Sequence, residues 1–230
     1  MYAVASRRLP AVLVGLVGLV GLAVLLTACT RVEDTSAAIV VGGDDDGFHG
    51  ALLTEPYVVP AQPLTDTDGM AYSLAKDTAT PLTLVFFGYT HCPDVCQIVM
   101  STITSGLTRL EADQREQVEV VFVTTDPARD DASTLRAYLD QFDDGFTGLT
   151  GDLDTIVAVA EDLGVYVAHG EKLPDGGYEV DHSTPVIGVA DDGQAPIVWT
   201  QGTSSEEFAD DITRLLTEMP SAGSAGSAGE

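Results

Sequence analysis

Basic residues are scarce in this sequence. Ten lysines and arginines stand against 36 aspartates and glutamates in 230 residues, a formal net charge of −26. So acidic a surface repels phosphate backbones, which argues against nucleic-acid binding. It also repels anionic lipid, so any membrane attachment needs a force other than charge. It leaves room for cationic metals or basic partners, and fits equally a surface that serves only solubility. Cysteine is almost absent, with Cys29, Cys92 and Cys96 as its only occurrences. A bridge between the last two would close a loop too short to restrain the unfolded chain much, so chemistry explains the pair better than a structural disulfide does. Apolar residues are not scarce. At 45% of the chain they exclude wholesale disorder, and the length suits one well-buried domain.

The first 29 residues have the pattern of a processing signal. Arg7 and Arg8 precede an uncharged, almost wholly apolar run from Leu9 to Leu26, and Leu26-Thr27-Ala28-Cys29 resembles the bacterial lipobox. In that motif the cysteine is lipidated and becomes the first residue of the mature protein. Several acyl chains on one residue hold a protein at a bilayer where a single chain would not. The run is also long enough for an uncleaved membrane helix. Either arrangement puts the domain on the extracytoplasmic face of the cell membrane, and the lipid anchor on Cys29 is the expected one.

Residues 30–47 are polar, acidic and glycine-containing, as suits a flexible tether. Residues 220–230 are a small-residue tail. The folded domain is therefore expected over 48–219. Within it, short strands are expected over Leu52–Val59 and around a turn at Asp68-Gly69. The apolar runs Leu82–Phe87 and Val118–Thr125 suggest buried strands. Helical spacing marks Cys92–Glu111, Asp130–Phe142, Asp152–Leu163 and a closing helix capped by Ser204-Ser205-Glu206-Glu207. Further strands fall at Val165–Val167, Pro185–Val189 and Ile197–Thr200. Strands separated by amphipathic helices predict an α/β fold, with a mostly parallel central sheet and helices on both faces.

The chemistry concentrates in Phe87-Gly88-Tyr89-Thr90-His91-Cys92-Pro93-Asp94-Val95-Cys96. A buried strand ends there, and both cysteines fall in the first turns of the next helix. Residues four apart share a helix face, and a helix N-terminus favours thiolate. Two neighbouring thiolates either chelate one soft metal ion or close a disulfide. A metal site needs a further donor, and histidine is the commonest nitrogen ligand. His182, in a loop before the strand at Pro185, is the best placed of the four histidines. His91 is a second choice because its side chain should point away from the cysteines' face. His49 reads as a solvated tether residue and His169 as part of an exposed hairpin.

These segments resemble the SCO/SenC family, thioredoxin-like copper proteins that help assemble the copper centre of cytochrome c oxidase. Asp126-Pro127-Ala128-Arg129-Asp130 resembles that family's Asp-Pro-x-Arg-Asp segment, and Asp181-His182-Ser183 its histidine motif. The resemblance covers about Phe48 to Leu216. It implies a thioredoxin-like fold and Cu(I) or Cu(II) held by Cys92, Cys96 and His182. It also implies a membrane-anchored metallochaperone whose partner is the copper-bearing oxidase subunit or another copper acceptor. Two positions depart from the family pattern. Gln97 follows the second cysteine where proline is usual, and Pro185 follows the histidine motif. The latter is similar to the cis-proline that faces the dithiol in thioredoxins.

Copper also fits the donor types. Cu(I) accepts two sulfurs and a nitrogen at low coordination number, whereas structural Zn(II) takes four protein ligands. Asp130 is expected to cap the helix that follows it, Asp94 to cap or remain solvated, and Arg129 to pair with a nearby carboxylate. The alternative reading is a membrane-tethered thiol–disulfide oxidoreductase, with Cys92 and Cys96 as its redox pair. It would act on cysteines of an oxidase subunit or another exported protein. Haem attachment is excluded because His91 precedes the cysteines.

Overall fold

A computed structural model describes residues 47–78, 80–172 and 178–218. The lipobox with Cys29, the tether up to residue 46 and the tail over 220–230 lie outside the described residues. In chain order the elements are β1 (Ala51–Val58), β2 (Leu64–Asp66), β3 (Ala71–Tyr72), β4 (Leu82–Gly88), α1 (Val95–Leu107), α2 (Ala112–Arg115), β5 (Val118–Thr124), α3 (Ala132–Leu139), β6 (Thr147–Thr150), α4 (Leu153–Asp162), β7 (Val167–Lys172), β8 (Tyr178–His182), β9 (Val186–Ala190), β10 (Gln194–Trp199) and α5 (Ser205–Glu218).

Strand β4 explains the layering. Every residue in it is buried, and alternate side chains enter two different cores. Leu82, Leu84 and Phe86 pack with Val120 and Phe122 of β5 beneath α1, α3 and α5. Val85 and Phe87 pack with Val121 and Val123 of β5 beneath α4. Helices thus cover both faces of a thioredoxin-like α/β sheet.

That sheet is mixed, not mostly parallel as its sequence suggests. The strand order is β1-β10-β9-β4-β5-β6-β2-β3. Only β4–β5 and β5–β6 run parallel, whereas β1–β10, β10–β9, β9–β4, β6–β2 and β2–β3 are antiparallel. Loop length accounts for two of these antiparallel pairs. β9 and β10 are joined by a tight turn in which Gly193 takes a φ of +77°, and so short a link can only reverse the chain. Asp66 and Gly69 turn β2 into β3 in the same way, with Gly69 at φ +80° and Asp66 Oδ1 accepting from the N–H groups of Asp68 and Met70. Buried antiparallel strands carry the same continuous apolar runs as parallel ones, so composition did not separate them. β7 and β8 form a second, two-stranded antiparallel sheet.

Helix α5 locks the beginning of the domain to its end. Ser204 and Glu207 cap it reciprocally, as its opening residues predict. On its inner face Asp211, 1% exposed, accepts hydrogen bonds from the backbone of His49 and Gly50 and from Trp199 Nε1 at 2.7 Å. His49 is therefore tied down, not free in a tether. Arg214 stacks over Phe48 at 4.1 Å. Among the described residues no helix is long and apolar enough to cross a membrane.

Candidate metal centre

The cysteine segment leaves the sheet at Gly88, where space is tight. A Cβ there would lie 2.9 Å from the Phe86 ring and 3.1 Å from Cys96 Sγ, so glycine allows the thiol to reach the strand end. The chain then turns, with the Cys92 N–H donating to the Tyr89 carbonyl at 3.2 Å. Cys92 precedes Pro93, which disfavours helical backbone at the cysteine. Accordingly α1 begins only at Val95, after Asp94 at its N-cap position, and not at Cys92 as the periodicity suggests. Asp94 makes no side-chain cap and is solvated. Cys92 sits in the turn and Cys96 in the first turn of the helix, and the Cys96 N–H points at Cys92 Sγ at 3.4 Å. Both cysteines are buried and unbridged.

The turn is held from below by Asp130. This carboxylate is fully buried and accepts from the Thr90 N–H at 2.9 Å, Thr90 Oγ1 at 2.6 Å and Thr124 Oγ1 at 2.7 Å. It is therefore not the helix cap expected from its position. Asp131 caps α3, accepting from the Thr134 N–H at 2.8 Å. Of two adjacent aspartates only one can face the helix start, and the other is turned inward to the loop ends of β4 and β5. Arg129 pairs with Asp126, as anticipated.

Environment separates the two thiols. Burial pushes Cys92 upward, but the Asp94 N–H, the Cys96 thiol and N–H, and the Tyr89 hydroxyl together hold it below the ordinary thiol range. Burial pushes Cys96 well above that range, with Cys92 adding to the shift. Tyr89 is raised to about 12, by burial first and then by the two thiols, so it stays a donor at physiological pH. As thiolate is the nucleophile, one equivalent of iodoacetamide at neutral pH should label Cys92 ahead of Cys96. Peptide mass mapping checks this. The rate of labelling at Cys92 should fall as pH drops through its lowered pKa, because its thiolate is then protonated, while the preference over Cys96 persists.

Sequence reading missed two tyrosines. Tyr89 bonds Cys92, and Tyr138 of α3 is buried close enough to both thiols and Asp130 that, after burial, they raise its own pKa. The Tyr138 hydroxyl has no hydrogen-bond partner among the described residues. Tyr138 falls within the predicted helix Asp130–Phe142, and nothing local in the sequence signals that it lies near the thiols.

His182 is the last residue of β8, not a loop residue, and its backbone pairs with Val167 of β7. The chain crosses Ser183, whose N–H donates to the Tyr166 carbonyl at 3.0 Å, and enters β9, where Val186 pairs with Phe86. The segment after His182 thus joins the sheet beside the end of β4 from which the cysteine turn departs. The description of His182 stops at its backbone, as does that of His169. No peptide bond among the described residues is cis, including Thr184–Pro185. Among the described residues no three His, Cys, Asp or Glu side chains stand together as a metal site. What is described is a pair of neighbouring thiols, a donor type that suits a soft, low-coordinate ion and not a hard one.

The comparisons agree with this chemistry. A putative copper-binding protein of Stutzerimonas stutzeri is 31% identical over 172 residues, covering 75% of this chain and 82% of that one. A Danio rerio protein described as the mitochondrial SCO2 homolog is 39% identical over 111 residues, covering 48% and 40%. The chain spans 40% to 54% of the length of this and two mammalian SCO2 homologs. The structure of Bradyrhizobium japonicum ScoI with copper bound superposes with a TM-score of 0.61 at 33% identity, over 68% of this chain and 98% of that one. The SCO1/SenC family model matches residues 53–217, a span that takes in the cysteine turn, the Asp126–Asp130 loop and the end of β8, and the chain belongs to that family.

Proposed function

We propose that the protein is a copper metallochaperone that binds Cu(I) or Cu(II) through Cys92, Cys96 and His182 and delivers copper to the copper-bearing subunit of cytochrome c oxidase. The observation that carries this reading is the unbridged, buried pair of thiols at the end of β4, one of them favoured as thiolate. Such a pair suits Cu(I), and the family relatives include proteins described as copper-bound. A third ligand on a separate strand pair leaves a low-coordinate site that an acceptor's ligand can enter before a donor ligand leaves. Lipidation at Cys29 would hold the domain at the extracytoplasmic face of the membrane, where such an acceptor is exposed.

Titration of the full chain with Cu(I) against a competing chelator tests the assignment. One tight equivalent is expected, with two sulfurs and one nitrogen by X-ray absorption. His182→Ala should lose the nitrogen contribution and most of the affinity for Cu(II), which relies more on nitrogen donors than Cu(I) does. Histidine-independent binding would rule out the three-ligand site.

The opposite displacement of the two thiol pKa values favours one second reading, a thiol–disulfide oxidoreductase with Cys92 as nucleophile and Cys96 as resolving thiol. Rapid reduction of an oxidised acceptor by the metal-free chain, with no tight copper binding, would select it.

A further inference from the structure

We infer that Cu(I) leaves this site from Cys92 first, and that the Tyr89 hydroxyl sets that order as a positioning group bonded to the Cys92 sulfur; this rests on the copper reading above. The two sulfurs belong to different local structures. Cys96 lies within α1 and is 0% exposed, and its Sγ sits against the strand end, 3.1 Å from where a Cβ on Gly88 would stand. Cys92 lies in the turn before the helix and is 7% exposed. A ligand arriving from solvent therefore meets the Cys92 side of a bound ion first.

Hydrogen bonds divide the sulfurs in the same sense. The Cys92 N–H closes the turn onto the Tyr89 carbonyl at 3.2 Å, which brings residues 89 and 92 together. The Tyr89 ring, partly buried, packs against the core that contains both cysteines. From there its hydroxyl donates to the Cys92 sulfur. The same sulfur faces the Cys96 N–H at 3.4 Å and the Asp94 N–H. Cys96, besides the other thiol, faces the Tyr89 N–H. A sulfur that accepts hydrogen bonds has less charge to give a metal, and such bonds tune copper–thiolate sites. The bond from copper to Cys92 is thus the weaker of the two. The N–H donors are fixed by the backbone of the turn and helix, whereas the phenol comes from a side chain that one substitution removes.

Release is a ligand exchange without electron transfer. A bond from copper to an acceptor's thiolate or imidazole forms as the bond to Cys92 breaks, and copper stays Cu(I). The electron pair of the broken bond remains on the Cys92 sulfur, where the Tyr89 O–H stabilises it. The bond to Cys96 breaks afterwards, as a further acceptor ligand binds.

Tyr89→Phe tests this in the full chain, because it removes the hydroxyl and keeps the ring that packs against the core. The Cu(I)-loaded chain is mixed with excess bicinchoninate, and the colour of the chelator's copper complex is followed in time. Release from Tyr89→Phe should be about fivefold slower than from the unsubstituted chain, the effect of one hydrogen bond, with the equilibrium affinity higher by a similar factor. In the Cu(II)-loaded chain the sulfur-to-copper charge-transfer band should move to longer wavelength, because a sulfur relieved of the bond gives up charge more readily. A residue that served packing alone would give the opposite sign, faster release and weaker binding, and that result would overturn the inference. So would release at the unsubstituted rate, which would mean that copper does not leave from Cys92 first, or a band that stays in place. Failure of the unsubstituted chain to bind Cu(I) at all would overturn the copper reading and this inference together.

Discussion

Cys96→Ser should lower the affinity of the chain for Cu(I) by roughly a hundredfold or more. Metal binding by a few protein ligands is worth about 10–16 kcal/mol in small zinc domains, so one ligand's share of about 3 kcal/mol corresponds to some two orders of magnitude. Serine keeps the shape of cysteine but offers a hard oxygen to a soft ion. The loss should be large because the position is fixed from several sides. Gly88 leaves room for the Cys96 sulfur at the strand end, and the Cys96 N–H is directed at Cys92 Sγ. A competition titration with a Cu(I) chelator reads the change. An affinity within tenfold of the unsubstituted chain would remove Cys96 from the ligand set.

Asp130→Ala should be the most damaging single change to stability near the site, at about 3–5 kcal/mol in denaturant unfolding. The fully buried carboxylate gathers a backbone N–H and two hydroxyls from the ends of β4 and β5. Its removal strands the buried Thr124 hydroxyl and the Thr90 N–H together. Because Thr90 lies two residues before Cys92, the variant should also weaken copper binding where it still folds. Asp131→Ala is the internal control. That carboxylate is exposed and caps α3, so its loss should be much smaller and leave copper binding unchanged. Similar losses at the two positions would show that the inward-facing carboxylate has no special place.

The contrast between those two aspartates also shows what the sequence can and cannot disclose. Helix periodicity put a cap near residue 130, but which of two adjacent carboxylates faces the helix is decided by Thr90 and Thr124, and Thr90 lies forty residues away in the chain. The cysteine turn was legible because an apolar run, a glycine and a Cys-x-x-x-Cys lie consecutively. The start of its helix was misplaced because Pro93 acts on the residue before it, an effect that apolar spacing does not register. β4 and β5 were legible as buried strands, whereas the direction of β10 relative to β9 depended on a turn at Gly193 that carries no apolar signal. Tyr89 and Tyr138 reach the thiols through tertiary packing alone.

The Asp211 clamp decides how the domain bears load. Tension applied ahead of the domain meets His49 and Gly50 before it reaches Ala51, whose pairing with Val198 is the first rung of the β1–β10 ladder. At that point the buried carboxylate passes the force sideways into α5 and the Trp199 indole. The edge strand is then loaded in shear through the closing helix, not unzipped one rung at a time. A tug at the leading end therefore enters the same core that holds the cysteine helix, because α5 packs Phe208 and Ile212 against α1.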